Sequence, residues 1–284
     1  MANSWLIVGA SSFYSGEFAK YLRKRGETVV PASLRNRSTW YQDADYVVNF
    51  AAANIVAESW AAPVNYMNIN GVLFTEFLEH LRLRAFKRYV HVSTPEVYGD
   101  TSAWVTESRH FAPSTPYAVS RAAGDMMVKA YGAAYGLPYV ITRTANIYGP
   151  GQQSFRLIPK AFTYVRTDGP FPLEGEGLTE RSYIHVRDAC EATHLIAIAG
   201  RNHSTYHIST RRMHTVREVV ELVGKTLGKQ PLMVDAPDRL GKDIAYMMDS
   251  TKLRNLGWND TITLEDGLRE YMEATRENHS AEIS

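Results

Sequence analysis

The first 25 residues constrain the fold more than any other stretch. Trp5-Leu-Ile-Val8 is a short apolar run of strand character. Gly9-Ala-Ser-Ser-Phe-Tyr-Ser-Gly16 is a turn made largely of small residues, and an amphipathic helix follows through Arg25. A strand that feeds a tight turn and then a helix points the turn's N–H groups and the positive helix end the same way. That is a cradle for phosphate. Gly9 permits the sharp turn. Ser11, Ser12, Phe13 and Tyr14 line the approach, and a serine hydroxyl can itself bind phosphate. Read more plainly, the segment is only a strand-to-helix turn.

At 284 residues the chain has room for one large α/β domain or two small ones. Its net charge of +1 gives no reason to expect a nucleic-acid partner. The densest basic run, Arg82 to Arg88, falls where a helix should end, and cations suit that position. The single cysteine, Cys190, excludes a disulfide framework, and the nine histidines never take a metal-ligand spacing. No metal is expected. No apolar run approaches the roughly 20 residues of a membrane helix, and the N-terminus lacks the features of a signal peptide. A soluble cytoplasmic enzyme that binds no membrane is the plain expectation.

Thr28 to Ala32 is the next strand. In a dinucleotide-binding sheet an acid at this strand's end grips the ribose hydroxyls. Here Ser33, Arg35 and Arg37 follow instead, which suits a 2′-phosphate better. Tyr46 to Ala52 is the strand after that, ending in Ala51-Ala52. About a dozen residues separate it from its predecessor, too few for the usual helix and strand of a crossover. One such unit is therefore expected to be missing.

The chemistry gathers between His91 and Arg121. His91-Val-Ser-Thr-Pro-Glu-Val-Tyr-Gly99 reads as a buried strand ending in hydroxyls and one carboxylate, Glu96. Ser114-Thr-Pro-Tyr-Ala-Val-Ser-Arg121 reads as a helix start, with Tyr117 and Arg121 one turn apart on one face. A phenol, a fixed cation, a hydroxyl and a carboxylate together can move a proton and a hydride. The bland alternative is an ordinary helix tyrosine, a solvated arginine and a structural glutamate.

These stretches resemble the extended short-chain dehydrogenase/reductase family, the NAD-dependent epimerases and dehydratases of nucleotide sugars. In that family a Ser/Thr-x-x-x-Tyr-Gly strand end precedes a Tyr-x-x-x-Lys helix; here the lysine is Arg121. The family's Gly-x-x-Gly-x-x-Gly turn keeps Gly9 but has Ser12 and Ser15. Asn65 to Gly71 resembles a segment in which an asparagine props the site. Arg143-x-x-Asn146-x-Tyr-Gly-Pro150, Arg156 to Lys160, Leu173 to Gly177 and Arg181 to Asp188 resemble nucleotide-sugar-binding segments. Asp238 to Asp243 and Met248 to Trp258 resemble the C-terminal signature of the 4,6-dehydratase branch.

The resemblance implies a Rossmann-like, doubly wound parallel sheet over residues 1–150 and a smaller substrate lobe over 151–284, with segments near 181–210 returning to the sheet. It implies NAD or NADP at Gly9, Ser11, Ser12, Phe13, Tyr14, Ser33, Arg35, Ala51, Ala52, Tyr117 and Arg121. A nucleotide-diphosphate sugar would lie on Thr94, Asn146, Arg156, Arg181 and Arg239. A homodimer through a four-helix bundle is implied as well. Tyr117 would take the O4 proton, its pKa drawn toward neutrality by Arg121, while Thr94 polarises O4 and Glu96 takes the C5 proton. Family dehydratases carry Thr-Asp-Glu or Thr-Ser-Glu where this chain has Thr94-Pro95-Glu96, and Pro95 has no proton to donate. A 4,6-dehydratase is favoured. A 4-epimerase and a UDP-uronate decarboxylase are the alternatives, and a non-catalytic scaffold is the reading from another class.

Overall fold

The computed structural model describes residues 2–101, 103–107, 110–237 and 245–281. The strands are β1 (Ser4–Val8), β2 (Thr28–Ala32), β3 (Tyr46–Asn49), β4 (Arg88–Ser93), β5 (Tyr139–Thr144), β6 (Asn146–Tyr148), β7 (Phe171–Glu174), β8 (Glu180–Arg181), β9 (Tyr183–His185), β10 (Ser204–Ile208), β11 (His214–Thr215) and β12 (Met233–Ala236). The helices are α1 (Phe13–Lys24), α2 (Val56–Ala61), α3 (Pro63–Met67), α4 (Phe74–Leu81), α5 (Pro116–Tyr135), α6 (Leu157–Arg166), α7 (Val186–Ala199), α8 (Val216–Leu227), α9 (Thr251–Arg254) and α10 (Leu264–Ala281).

Six parallel strands make the central sheet, in the order β10-β5-β4-β3-β1-β2. Helices cover both faces, so strands such as β1 and β5 are buried nearly along their whole length rather than alternating. Successive residues of β1 serve opposite layers. Trp5 and Ile7 pack with Phe18 of α1 and with Ala189 and Ile196 of α7. Leu6 and Val8 pack with Phe77 of α4 and Val128 of α5. The ends of α5 and α8 are set locally: Thr115 caps α5 with Pro116 at its first position, and Thr215 and Glu218 form a capping box on α8.

β2 is an edge of the sheet. Its link to β3 spans residues 33–45 and holds one 3₁₀ turn, Arg37–Tyr41, where a crossover helix and strand would otherwise stand. Trp40 from this turn is buried against Phe77, its ring centroid 5.3 Å away. The short loop therefore caps the sheet layer with a single indole.

A second cluster gathers Tyr148, Ile158, Phe162, Leu173, Val219, Val223 and Leu268 from β6, α6, β7, α8 and α10. The chain does not divide cleanly between the two layers. α7 and β10 return to the central sheet, and Met248, Leu253 and Trp258 pack into its core. Among the described residues no helix is long and apolar enough to cross a membrane.

Candidate active site

The cradle is built first. Gly9 has φ +81°, and a Cβ there would fall 2.7 Å from Ala51 N and 2.8 Å from Ala51 Cα. Only glycine lets the ends of β1 and β3 approach so closely. Gly9 N donates to Ala32 O at 2.9 Å, joining the turn to the end of β2. Ser12 caps α1, its Oγ accepting from Ser15 N at 3.2 Å and donating to Ser15 Oγ at 2.8 Å. Ser15 Oγ donates to Gly9 O at 2.7 Å and is shut off from solvent. The two serines thus spend hydroxyl hydrogens within the turn, where the sequence suggested them for phosphate. What remains for an anion is the open N-terminus of α1, with Ser12 and Phe13 on the cleft wall. A dinucleotide's pyrophosphate suits that position because the first N–H groups of α1 face the cleft there unpaired within the helix.

The remaining turn residues separate. Ser11 is exposed beside the turn. Tyr14 borders the cleft with its ring, but its hydroxyl turns away to Ala189 O (2.9 Å) and Thr193 (2.5 Å) on α7. Ser33 and Arg35 are exposed at the end of β2. Arg37 forks onto Glu76, with Nε 3.0 Å from Oε2, so it serves a surface ion pair. Ala51 packs on Gly9, and Ala52 lines the cleft.

Asn70 holds the next piece in place. Its Oδ1 accepts from Ala53 N at 2.8 Å, and its Nδ2 reaches Ala53 O at 3.0 Å and Ser120 Oγ at 2.9 Å. The loop after β3 is thereby fixed to α5 between Tyr117 and Arg121. A π-helical stretch, Asn68–Leu73, joins α3 to α4 and carries Asn70 inward. The sequence pointed to the segment but not the residue. Asn68, which fits the Asn-x-x-Gly spacing, is exposed.

Thr94, Glu96, Tyr117 and Arg121 come together on one wall of a cleft of about 580 Å³. Thr94 follows β4 and caps the 3₁₀ turn Pro95–Tyr98, with its hydroxyl donating to Glu96 Oε2. Tyr117 and Arg121 are each only 6% exposed, and Arg121 Nη2 donates to Val92 O. Burial pushes the Tyr117 phenol up, and the Glu96 carboxylate adds to this. Arg121, the Thr94 hydroxyl and Arg156 pull the other way, and the balance lies at about 12. Desolvation here outweighs the pull toward neutrality expected of Arg121.

Asn146, Arg156 and Arg181 lie on the same cleft. Asn146 opens β6, and Arg156 stands at the N-cap of α6 with its guanidinium 5.2 Å from the Phe155 ring. Arg181 stacks 4.4 Å over Tyr246 while Nη1 donates to Glu180 O at 2.7 Å. The Asp188 carboxylate is taken by Thr261 and Ile262, with Ile262 N 3.0 Å away. Arg239 lies outside the described residues. Lys160 and Tyr183 lie in segments the resemblance marked without being singled out, and Tyr246 lies outside them; all three border the cleft. Tyr183 Oη is buried without a hydrogen-bond partner among the described residues, and burial raises its pKa. Nothing in the local pattern distinguishes such tyrosines from core ones.

The geometry sets a phosphate cradle, a proton-handling cluster and two arginines along one cleft. Residues 34–271 match the family described as GDP-mannose 4,6 dehydratase. A dTDP-glucose 4,6-dehydratase of Streptomyces niveus is 38% identical over 240 residues, covering 83% of this chain and 71% of that one. A trifunctional protein of Arabidopsis thaliana, whose name begins with UDP-glucose 4,6-dehydratase, is 33% identical over 257 residues. There the match takes in 88% of this chain but only 39% of the relative. Among solved structures, the dTDP-glucose 4,6-dehydratase of Streptomyces venezuelae with NAD bound superposes with a TM-score of 0.92. It is 29% identical and covers 98% of each chain. The chain belongs to the GDP-mannose 4,6 dehydratase family, within the extended short-chain dehydrogenase/reductase enzymes.

Proposed function

We propose that the protein is an NAD-dependent 4,6-dehydratase of a nucleoside diphosphate hexose. The observation that carries this reading is the meeting of Thr94, Glu96 and Tyr117 on one cleft wall, between the Gly9 cradle and Arg156 and Arg181. Of the two cofactors the sequence leaves open, NAD is assigned, because the Streptomyces venezuelae relative carries it. Bound NAD supplies a hydride acceptor and a cationic nicotinamide ring.

Each side chain then has one task. Arg156 and Arg181 hold the diphosphate with charge-assisted hydrogen bonds, and Asn146 orients the sugar. Gly9 and the start of α1 take the cofactor pyrophosphate, while Phe13, Ala51 and Ala52 close around it. Tyr117 takes the O4 proton as C4 loses hydride. With the pull of Arg121 already counted the phenol lies at about 12, and a bound nicotinamide cation would lower it further. Thr94 donates to O4 once its hydroxyl hydrogen turns away from Glu96 Oε2. Glu96 takes the C5 proton once C4 is a ketone and C5–H is acidic.

The same reading includes a homodimer. Val64, Met67 and Val72 on the α3–α4 rod, and Val119 and Met126 on α5, are exposed apolar side chains on helices that pack against each other. Two copies of this pair would bury them as a four-helix bundle. A cytoplasmic site of action goes with a charged nucleotide-sugar substrate.

The test is to incubate the purified protein with NAD and a panel of nucleotide hexoses (dTDP-glucose, UDP-glucose, GDP-mannose) and follow the sugar nucleotide by mass spectrometry. Loss of one water is expected from one of them. Product of unchanged mass with an inverted C4 would replace the dehydratase reading with a 4-epimerase.

A further inference from the structure

A dinucleotide-binding sheet is ordinarily built from two halves, and the half that takes the adenosine runs on to a third strand beside β2. Here β2 is the edge of the sheet, and residues 33–45 carry the chain straight to β3. The polar groups of this link are spent on the link itself and on α4. Ser33 O accepts from Asn36 N at 3.1 Å and from Trp40 Nε1 at 2.9 Å, while Ser33 N donates to Thr39 Oγ1 at 3.0 Å. Trp40 O lies 3.0 Å from His80 Nε2, and Arg37 pairs with Glu76. Leu34 and Trp40 are turned into the core. Among the described residues, none from 33–45 lines the cleft.

The facing side of the same spot adds little. Ala51, Ala52 and Ala53 present methyl groups. Ala51 N and Ala53 N already donate to Asn49 Oδ1 (3.0 Å) and Asn70 Oδ1 (2.8 Å). A site chooses between ring substituents by hydrogen bonds that fit one and fail another, and here the groups that would make them are engaged elsewhere. Arg35, exposed at the end of β2, offers a flat cation. Such a group lies over any purine, because every base has a π face.

We infer that the protein holds its dinucleotide by the pyrophosphate and the nicotinamide half and does not read the base at the other end. This deepens the NAD-dependent reading above and rests on it. The class of cofactor it takes is then a nicotinamide dinucleotide of any purine. The end that carries the chemistry is not loosened, because Phe13, Tyr117 and Arg121 lie on the enclosed part of the cleft. With little affinity coming from the base, the cofactor leaves and rebinds rather than staying with the protein through purification.

The experiment is calorimetry of the purified protein with NAD, nicotinamide guanine dinucleotide and nicotinamide hypoxanthine dinucleotide. These share the pyrophosphate and the nicotinamide and differ only in the purine. Dissociation constants within about threefold of one another are expected. Native mass spectrometry after gel filtration should find the chain free of dinucleotide. A preference for NAD of about tenfold or more, or NAD carried through gel filtration at one per chain, would overturn the inference and leave the dehydratase reading standing. Should none of the dinucleotides bind at millimolar concentration, the NAD-dependent reading itself fails and takes this inference with it.

Discussion

Arg143 Nη2 stands 2.7 Å from Asp125 Oδ2, and both side chains are wholly shut off from solvent. Asp125 lies two helical turns beyond Tyr117 on α5, with Arg121 between them, and Arg143 is on β5. His91 Nε2 of β4 is 3.4 Å from the other Asp125 oxygen. Arg143 also donates to Tyr98 Oη, which lies 2.7 Å from His207 Nε2 of β10. A buried polar network behind the cleft therefore sets where α5 sits on the sheet. Burial pushes the Asp125 carboxyl up, but His91 and the Arg143 cation outweigh it and hold the group ionised, below the usual carboxylate range. Asp125→Asn leaves the Arg143 charge buried without its counter-ion. The expected loss is about 3–5 kcal/mol of stability, read from urea denaturation.

Tyr117→Phe keeps the ring and removes the proton-accepting oxygen. We expect the fold to survive, by circular dichroism, and turnover to disappear. Arg121→Lys keeps a cation one turn from the phenol, and turnover at or above the wild-type level is expected. Wild-type activity in Tyr117→Phe would remove the proposed mechanism.

Gly9→Ala places a methyl against Ala51 at a φ of +81°, which L-residues rarely adopt. The turn must open to admit it, and the cradle widens with it. NAD affinity measured by calorimetry should fall about tenfold or more, the equivalent of about 1.4 kcal/mol. Gly16→Ala meets no atom within 4 Å and serves as the control.

Stability should decline as the solution is acidified below about pH 6.5. Burial, followed by the Arg143 charge, lowers His207 to about 3; burial and Arg187 lower His185 to about 4. Both stay neutral in the fold where the unfolded chain takes up protons. Their contribution is complete above the unfolded value of about 6.5 and drains away as pH falls toward 4 and then 3. The urea midpoint at pH 5 should lie below that at pH 7.5. A profile level across this range would show that these histidines are not held neutral.

Val72 is 58% exposed and Met126 56%. A lysine at either position would place charge in the centre of the proposed bundle. Light scattering should show the wild type as a dimer and Val72→Lys or Met126→Lys shifted to monomer, with the far-ultraviolet spectrum unchanged. A monomeric wild type would dismiss the bundle.

The sequence by itself determined the layered α/β fold, the missing crossover unit and the candidates for the reacting groups. Those properties live in short-range pattern: an apolar run before a glycine turn, a dozen residues between β2 and β3, and Tyr117 and Arg121 one helical turn apart. Tertiary structure decided which of the marked residues share a site. Tyr14 and Ser15 sit in the marked turn, yet their hydroxyls bond within the core and the turn, because satisfying a buried hydroxyl outweighs holding it ready for a ligand. Asn70 and Asn68 look alike in sequence, and only the π-helical bulge decides which one turns inward to reach Ala53 and Ser120. The Tyr117 pKa belongs to the same class. Arg121 is visible in the chain, but the burial that sets the phenol at about 12 is a sum over neighbours from elements far apart in sequence. Local spacing specifies elements and chemistry; desolvation and contact are properties of the assembled molecule.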